Sequence, residues 1–129
     1  MARGRPAREA PRKIYPLLAY QADPIRESVR RLGKKWTLLI LRDMAFLQLS
    51  HFGQFLRNNA GLTPRVLSRR LREMQAEGLI ERVTSGEEVT YRLTKRGEDA
   101  VFILLAFLHY GIRHHRSDGS RGHQSGATK

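Results

Sequence analysis

The chain is 129 residues long and carries 24 Lys and Arg against 12 Asp and Glu, a formal charge of +12. That excess predicts affinity for polyanions such as nucleic acid or an anionic membrane, while the lack of cysteine excludes disulfides, thiol switches and thiolate zinc sites. The N-terminus has no apolar signal-peptide core, and the longest apolar run, residues 100–108, is far short of the roughly 20 residues of a membrane span; the expected place is the cytoplasm, on the nucleoid, with no membrane partner.

Residues 1–13 hold Arg3, Arg5, Arg8, Arg12 and Lys13 against Glu9, or +4. They read as a disordered basic arm. Residues 113–129 hold Arg113, Arg116, Arg121 and Lys129 against Asp118, or +3, and read as a flexible basic tail. The segment between, residues 14–112, keeps +5 and is the expected folded domain. Within the arm, Arg3-Gly4-Arg5-Pro6 matches the core of an AT-hook, whose arginines suit narrow A·T minor grooves. Four residues are a weak signal, and a general electrostatic arm is the favoured reading.

Residues 14–21, with Leu17, Leu18 and Tyr20, are a short helix or an extended piece packed on the body or on a second subunit. Asp23 caps a helix that Pro24 starts and Gly33 ends. Lys35–Phe46 is apolar around most of its circumference and is expected as a central core helix. A third helix covers about residues 53–58, starting at Gly53, with Phe52, Phe55 and Leu56 turned inward. The loop Asn59-Ala60-Gly61 leads into the segment that carries most information, residues 63–80.

Here Thr63 is a good N-cap, Pro64 suits the first turn, and Gly78 can close the end. At about 100° per residue Leu67, Leu71 and Met74 share one side, while Arg65, Ser68, Arg69 and Arg72 share the other. A stable helix, expected over residues 63–77, with arginines on its outer face is what a major-groove reader needs. The alternative is a solvated charged surface. Arg70 lies towards the apolar side, so its stem should pack while its charge reaches Glu73 or Glu77.

After Gly78 the period changes from helical to alternating. Val89, Tyr91 and Leu93 alternate with Thr90 and Arg92, and pair with residues 80–84 across Ser85-Gly86-Glu87-Glu88. Thr94 caps a last helix over about residues 95–112. That helix is apolar on more sides than a small domain covers, which favours a subunit interface through Phe102, Leu105, Leu108 and Ile112 together with Leu17, Leu18 and Tyr20. The expected fold class is mostly α with a small β-hairpin, a winged helix-turn-helix domain whose terminal helices form a dimer interface.

Residues 23–97 resemble the HxlR-type winged-helix regulators, relatives of the MarR group. The likeness rests on Pro24 and on the run from Gly33-Lys34-Lys35-Trp36-Thr37 through Leu38-Leu39-Ile40-Leu41-Arg42-Asp43. Phe52, Gly61-Leu62-Thr63-Pro64-Arg65-Val66-Leu67-Ser68 and Arg70-Leu71-Arg72-Glu73 continue it. Glu77-Gly78-Leu79-Ile80-Glu81-Arg82 and Tyr91-Arg92-Leu93-Thr94 complete it. The resemblance implies a dimeric, sequence-specific DNA-binding repressor or activator. Three departures stand out. Asp23 occupies a position where many members carry cysteine, Gly53 stands where Ser or Thr often starts the third helix, and the hairpin tip is short with Glu87 and Glu88, which repel phosphate.

The expected partners are double-stranded DNA and a second copy of the chain. Arg65 and Arg69 are the candidates for guanine contacts. Thr63, Pro64, Ser68 and Arg72, with Arg82, Arg92, Lys95 and Arg96 around the hairpin, are candidates for positioning on phosphate, as are Arg3 and Arg5 in the arm. His51 reads as a phosphate or loop residue, and His109, His114 and His115 as solvated side chains rather than metal ligands. Trp36, Tyr91, Phe102 and Phe107 either line a pocket for an effector molecule or are simply core. No cofactor is expected. No phosphate loop, cysteine nucleophile or His–carboxylate motif points to catalysis. The competing class is a non-specific DNA- or RNA-associated architectural protein, with steep salt dependence and little sequence preference.

Overall fold

The structure, a computed structural model, describes residues 23–127, with side chains as far as His115. The basic arm with Arg3 and Arg5, and the segment holding Leu17, Leu18 and Tyr20, lie outside the described residues. Five helices and one hairpin follow in the order α1 (Pro24–Leu32), α2 (Lys35–Phe46), α3 (Phe52–Asn58), α4 (Pro64–Ala76), β1 (Ile80–Ser85), β2 (Glu88–Leu93) and α5 (Lys95–Ala127). Packing separates the chain between Lys35 and Trp36, so that α1 belongs to one unit and everything from Trp36 onward to another.

In α1 the Asp23 carboxylate accepts from the Arg26 N–H at 2.7 Å, an N-cap that satisfies a backbone donor the helix itself cannot. Gly33 closes the helix, and none of its residues is buried.

The second unit is built around α2, whose Ile40, Leu41 and Met44 are buried. Phe55 of α3, Leu67, Leu71 and Met74 of α4, and Leu79 and Ile80 complete the centre, with Ala100 and Leu104 of α5. Full burial of each large side chain contributes about 1.5–3 kcal/mol, which is why the periodic apolar positions of α2 and α4 set their orientation.

Helix α3 begins one turn position earlier than the glycine suggested. His51 is the N-cap and Gly53 lies inside the first turn. The reason is a side chain three residues past the cap: the Gln54 carboxamide oxygen accepts from the Ser50 and His51 N–H groups, both at 2.9 Å. Helix α4 ends in a Schellman motif. Gly78 adopts a φ of 81°, and Leu79 and Gly78 N–H donate to the Met74 and Gln75 carbonyls, each at 2.9 Å.

The hairpin turn is tighter than expected. Ser85 pairs with Glu88, leaving a two-residue loop of Gly86 and Glu87. Gly86 takes a φ of 63° while Glu87 does not go positive, the pattern of a type II′ turn with glycine first. Thr94 then does two jobs. Its hydroxyl donates to the Gly78 carbonyl at 2.6 Å and accepts from the Gly97 N–H at 3.0 Å, capping α5 and fastening it to the end of α4. Gly97 is buried, and a Cβ there would overlap the Leu79 carbonyl. Helix α5 runs to Ala127 rather than stopping near residue 112. No proline interrupts residues 95–127, and adding a residue to a formed helix needs no new nucleus.

Candidate nucleic-acid interface

Helix α4 presents its polar side outward. The Thr63 hydroxyl accepts from the Val66 N–H at 3.2 Å, and Pro64 occupies the first turn. Thr63, Pro64, Arg65, Arg69 and Arg72 are exposed and Ser68 is half-buried, opposite the buried Leu67, Leu71 and Met74. Arg65, Arg69 and Arg72 meet no carboxylate among the described residues.

The cations expected beside them are held differently. Arg92 is paired with Glu81 at 2.9 Å, its direct partner across the hairpin. Lys95 lies 3.7 Å from Asp99 and Arg96 3.5 Å from Glu77. Arg82 donates to the Thr84 hydroxyl at 3.3 Å. These exposed pairs are weak and exchange readily for another anion. Arg70 reaches Glu73 at 3.2 Å with its own Nε buried, so the expected division between packed stem and paired charge is observed.

What orients α4 is a buried carboxylate that the sequence reading did not single out. Asp43 of α2 is fully buried. Its Oδ1 accepts from Arg42 Nε and Nη2 at 3.0 and 2.9 Å and from Asn58 Nδ2 at 2.9 Å. Its Oδ2 accepts from Asn59 Nδ2 at 2.7 Å. Arg42 also donates to Asn59 Oδ1 at 3.0 Å, and Asn59 donates to the Phe55 carbonyl at 2.8 Å. The turn 59–62 between α3 and α4, closed by Leu62 N–H on the Asn59 carbonyl at 3.1 Å, is therefore pinned to α2. The one available hint was an acidic residue inside a largely apolar helix.

A second fastening joins the hairpin to α3. The Tyr91 N–H donates to the Ser50 carbonyl at 2.9 Å, and His51 Nε2 lies 2.8 Å from the Glu88 carboxylate. The hydrogen bond to Glu88 raises the His51 pKa, with a smaller contribution from Gln54. His51 is thus a clip between α3 and β2. Glu87 stays exposed at the turn.

The aromatic set does not converge. Tyr91 lines a cavity of about 510 Å³ and touches the Phe55 ring at 6.5 Å between centroids. Trp36 lies instead against Gly61, while Phe102 and Phe107 are exposed on α5. A pocket shared by all four is therefore corrected to one that takes Tyr91 alone, because α5 turns Phe102 and Phe107 away from the core. Tyr110 stacks near His114 and His115, with centroids 4.7 and 5.7 Å apart. No group of three metal-ligating side chains occurs among the described residues.

A short helix, a pinned turn, a capped basic helix and a two-stranded wing define a winged helix-turn-helix protein. The chain belongs to the HxlR-like helix-turn-helix family, which matches residues 31–118. An HTH-type transcriptional regulator of Mycobacterium tuberculosis, itself uncharacterized, is 35% identical over 95 residues, covering 71% of this chain and 59% of the relative. The chain thus spans less than two thirds of that relative's length. A possible HxlR family transcriptional factor from Thermoplasma volcanium superimposes with a TM-score of 0.59 at 32% identity, over 68% of this chain and 81% of that one. A regulator placed in the MarR family, from Enterococcus faecalis, gives 0.61 at 29% identity, over 74% and 89%. No described helix is long and apolar enough to cross a membrane.

Proposed function

We propose that this chain is a homodimeric, sequence-specific regulator of transcription that reads double-stranded DNA with α4. The observation that carries this reading is the row of Arg65, Arg69 and Arg72 on the exposed face of a capped helix, facing no carboxylate among the described residues. Most arginines elsewhere in the described residues have an acidic neighbour. An unpaired guanidinium keeps its fork of donors for guanine O6 and N7.

In this reading Arg65 and Arg69 contact base edges, and Thr63, Pro64, Ser68 and Arg72 set the helix on phosphate. Arg82, Arg92, Lys95 and Arg96 take the flanking backbone by exchanging their present partners for phosphate oxygens, and Arg3 and Arg5 extend the electrostatic reach. Glu87 keeps the wing tip off the phosphates. Dimerisation uses α5, where Phe102, Leu105, Leu108 and Ile112 are exposed, an apolar row of the kind that marks interaction sites. Two-fold pairing would set the α4 helices on half-sites about 34–36 Å apart.

Selection of bound duplexes from a random pool tests the proposal. A two-fold symmetric consensus is the expected result. Binding with no enriched sequence and a steep salt dependence would replace it with the architectural reading.

A further inference from the structure

The cavity beside Tyr91 has a composition that says what it would hold. Its floor is apolar, formed by Met44 of α2, Leu49, Tyr91 and Leu93 of β2, and Val101 of α5. At about 510 Å³ it falls within the range of small-molecule pockets, roughly 300–1,000 Å³. Its mouth carries Gln48, Arg92 and Glu98.

Two of these mouth residues decide the chemistry. The Arg92 guanidinium is engaged by Glu81 at 2.9 Å, across the hairpin. Glu98 has no cationic partner among the described residues. The cavity therefore presents one uncompensated carboxylate above an apolar floor with an aromatic wall. An organic anion would have to draw Arg92 away from Glu81 and still sit beside Glu98, and a neutral apolar ligand would leave the carboxylate unused.

One side is closed by the loop that follows α2. Gln48 has a φ of 58°, the one positive value at a non-glycine position among the described residues. Gln48 stands just past the end of α2 at Phe46, where a residue in the left-handed conformation commonly stops a helix. The segment is held in place by Gln48 Nε2 donating to the Ala45 carbonyl at 3.2 Å and by Tyr91 N–H on the Ser50 carbonyl.

We infer that this cavity binds an amphipathic organic cation, its apolar body on Met44, Leu49, Leu93 and Val101 and its charge between Glu98 and the Tyr91 ring. Ring faces attract cations as well as apolar surface. The inference concerns ligand binding by the protein alone and does not depend on whether α4 reads DNA.

Tetraphenylphosphonium and tetraphenylborate have the same shape and opposite charge, and titration calorimetry of the full chain with each separates shape from charge. The phosphonium should bind saturably at one site per chain, although the protein carries +12. Glu98→Gln should weaken that binding by about tenfold. Val101→Trp, which fills the floor, should abolish it while the circular dichroism spectrum and melting transition persist. The inference is overturned if the phosphonium shows no saturable binding, if its affinity is unchanged in Glu98→Gln, or if tetraphenylborate, titrated separately, loses affinity as strongly in Val101→Trp.

Discussion

Replacing Asp43 by asparagine puts an amide where four donors converge. The carboxylate is fully buried and receives Arg42 Nε and Nη2, Asn58 Nδ2 and Asn59 Nδ2 between 2.7 and 3.0 Å. An asparagine offers one oxygen to this set and turns an NH2 group against the remainder. Arg42 is 38% exposed at its side chain and can recover water. Asn59 is 5% exposed and keeps the Phe55 carbonyl at 2.8 Å, so one of its amide hydrogens loses its partner. An unsatisfied buried donor costs about 1–3 kcal/mol, and the partly solvated arginine pair adds up to about 1 kcal/mol. The expected loss is therefore about 2–4 kcal/mol. At about 4 °C per kcal/mol for a domain of this size, calorimetry should show Tm lower by roughly 8–16 °C. Asp43→Ala should be similar, because it too strands Asn59. Since the same network holds the turn into α4, selective DNA affinity should fall more than non-selective affinity. A melting point for Asp43→Asn within about 2 °C of the parent would refute the claim that this carboxylate organises the turn.

Arg69→Ala should cost roughly 1–3 kcal/mol of binding to the selected duplex and relax preference at one base pair; equal weakening on all sequences would assign Arg69 to phosphate instead. Glu87→Lys should add a phosphate contact at the wing, raising affinity for any duplex and steepening the log–log salt slope by about one, whereas an unchanged slope would place the tip away from DNA. Phe102→Glu should shift the sedimenting species from dimer to monomer with the helical spectrum retained; a dimer that survives would move the interface off this face. Because the Glu88 hydrogen bond raises the folded-state His51 pKa, the clip between α3 and β2 stabilises fully below the unfolded histidine pKa and is lost as pH rises through the folded value. An NMR titration should show the His51 midpoint falling in Glu88→Gln, and identical midpoints would remove the clip.

The sequence by itself determined the elements whose signals are local. The apolar period of Leu67, Leu71 and Met74 placed the buried side of α4, and hence its basic side, because a helix puts residues three and four apart on one face. Asp23, Thr63 and Thr94 marked helix starts because a cap acts within three residues of itself, and Gly78 marked an end because it alone adopts the required positive φ cheaply. Two local signals were missed, and signals that depend on a distant side chain were silent. Gln54 moved the start of α3 to His51, and pairing of Ser85 with Glu88 shortened the turn to two residues. Locally Asp43 is only an acidic residue in a largely apolar helix, and its partners Asn58 and Asn59 lie 15 and 16 residues away. The tertiary structure alone decided which cations are neutralised. Arg69 and Arg92 look alike in the sequence, but only the fold sets Glu81 opposite Arg92 and leaves the α4 row without a carboxylate among the described residues. Charge compensation is a matter of ångströms through space, and the order of residues along a chain fixes those distances only after packing has closed the core.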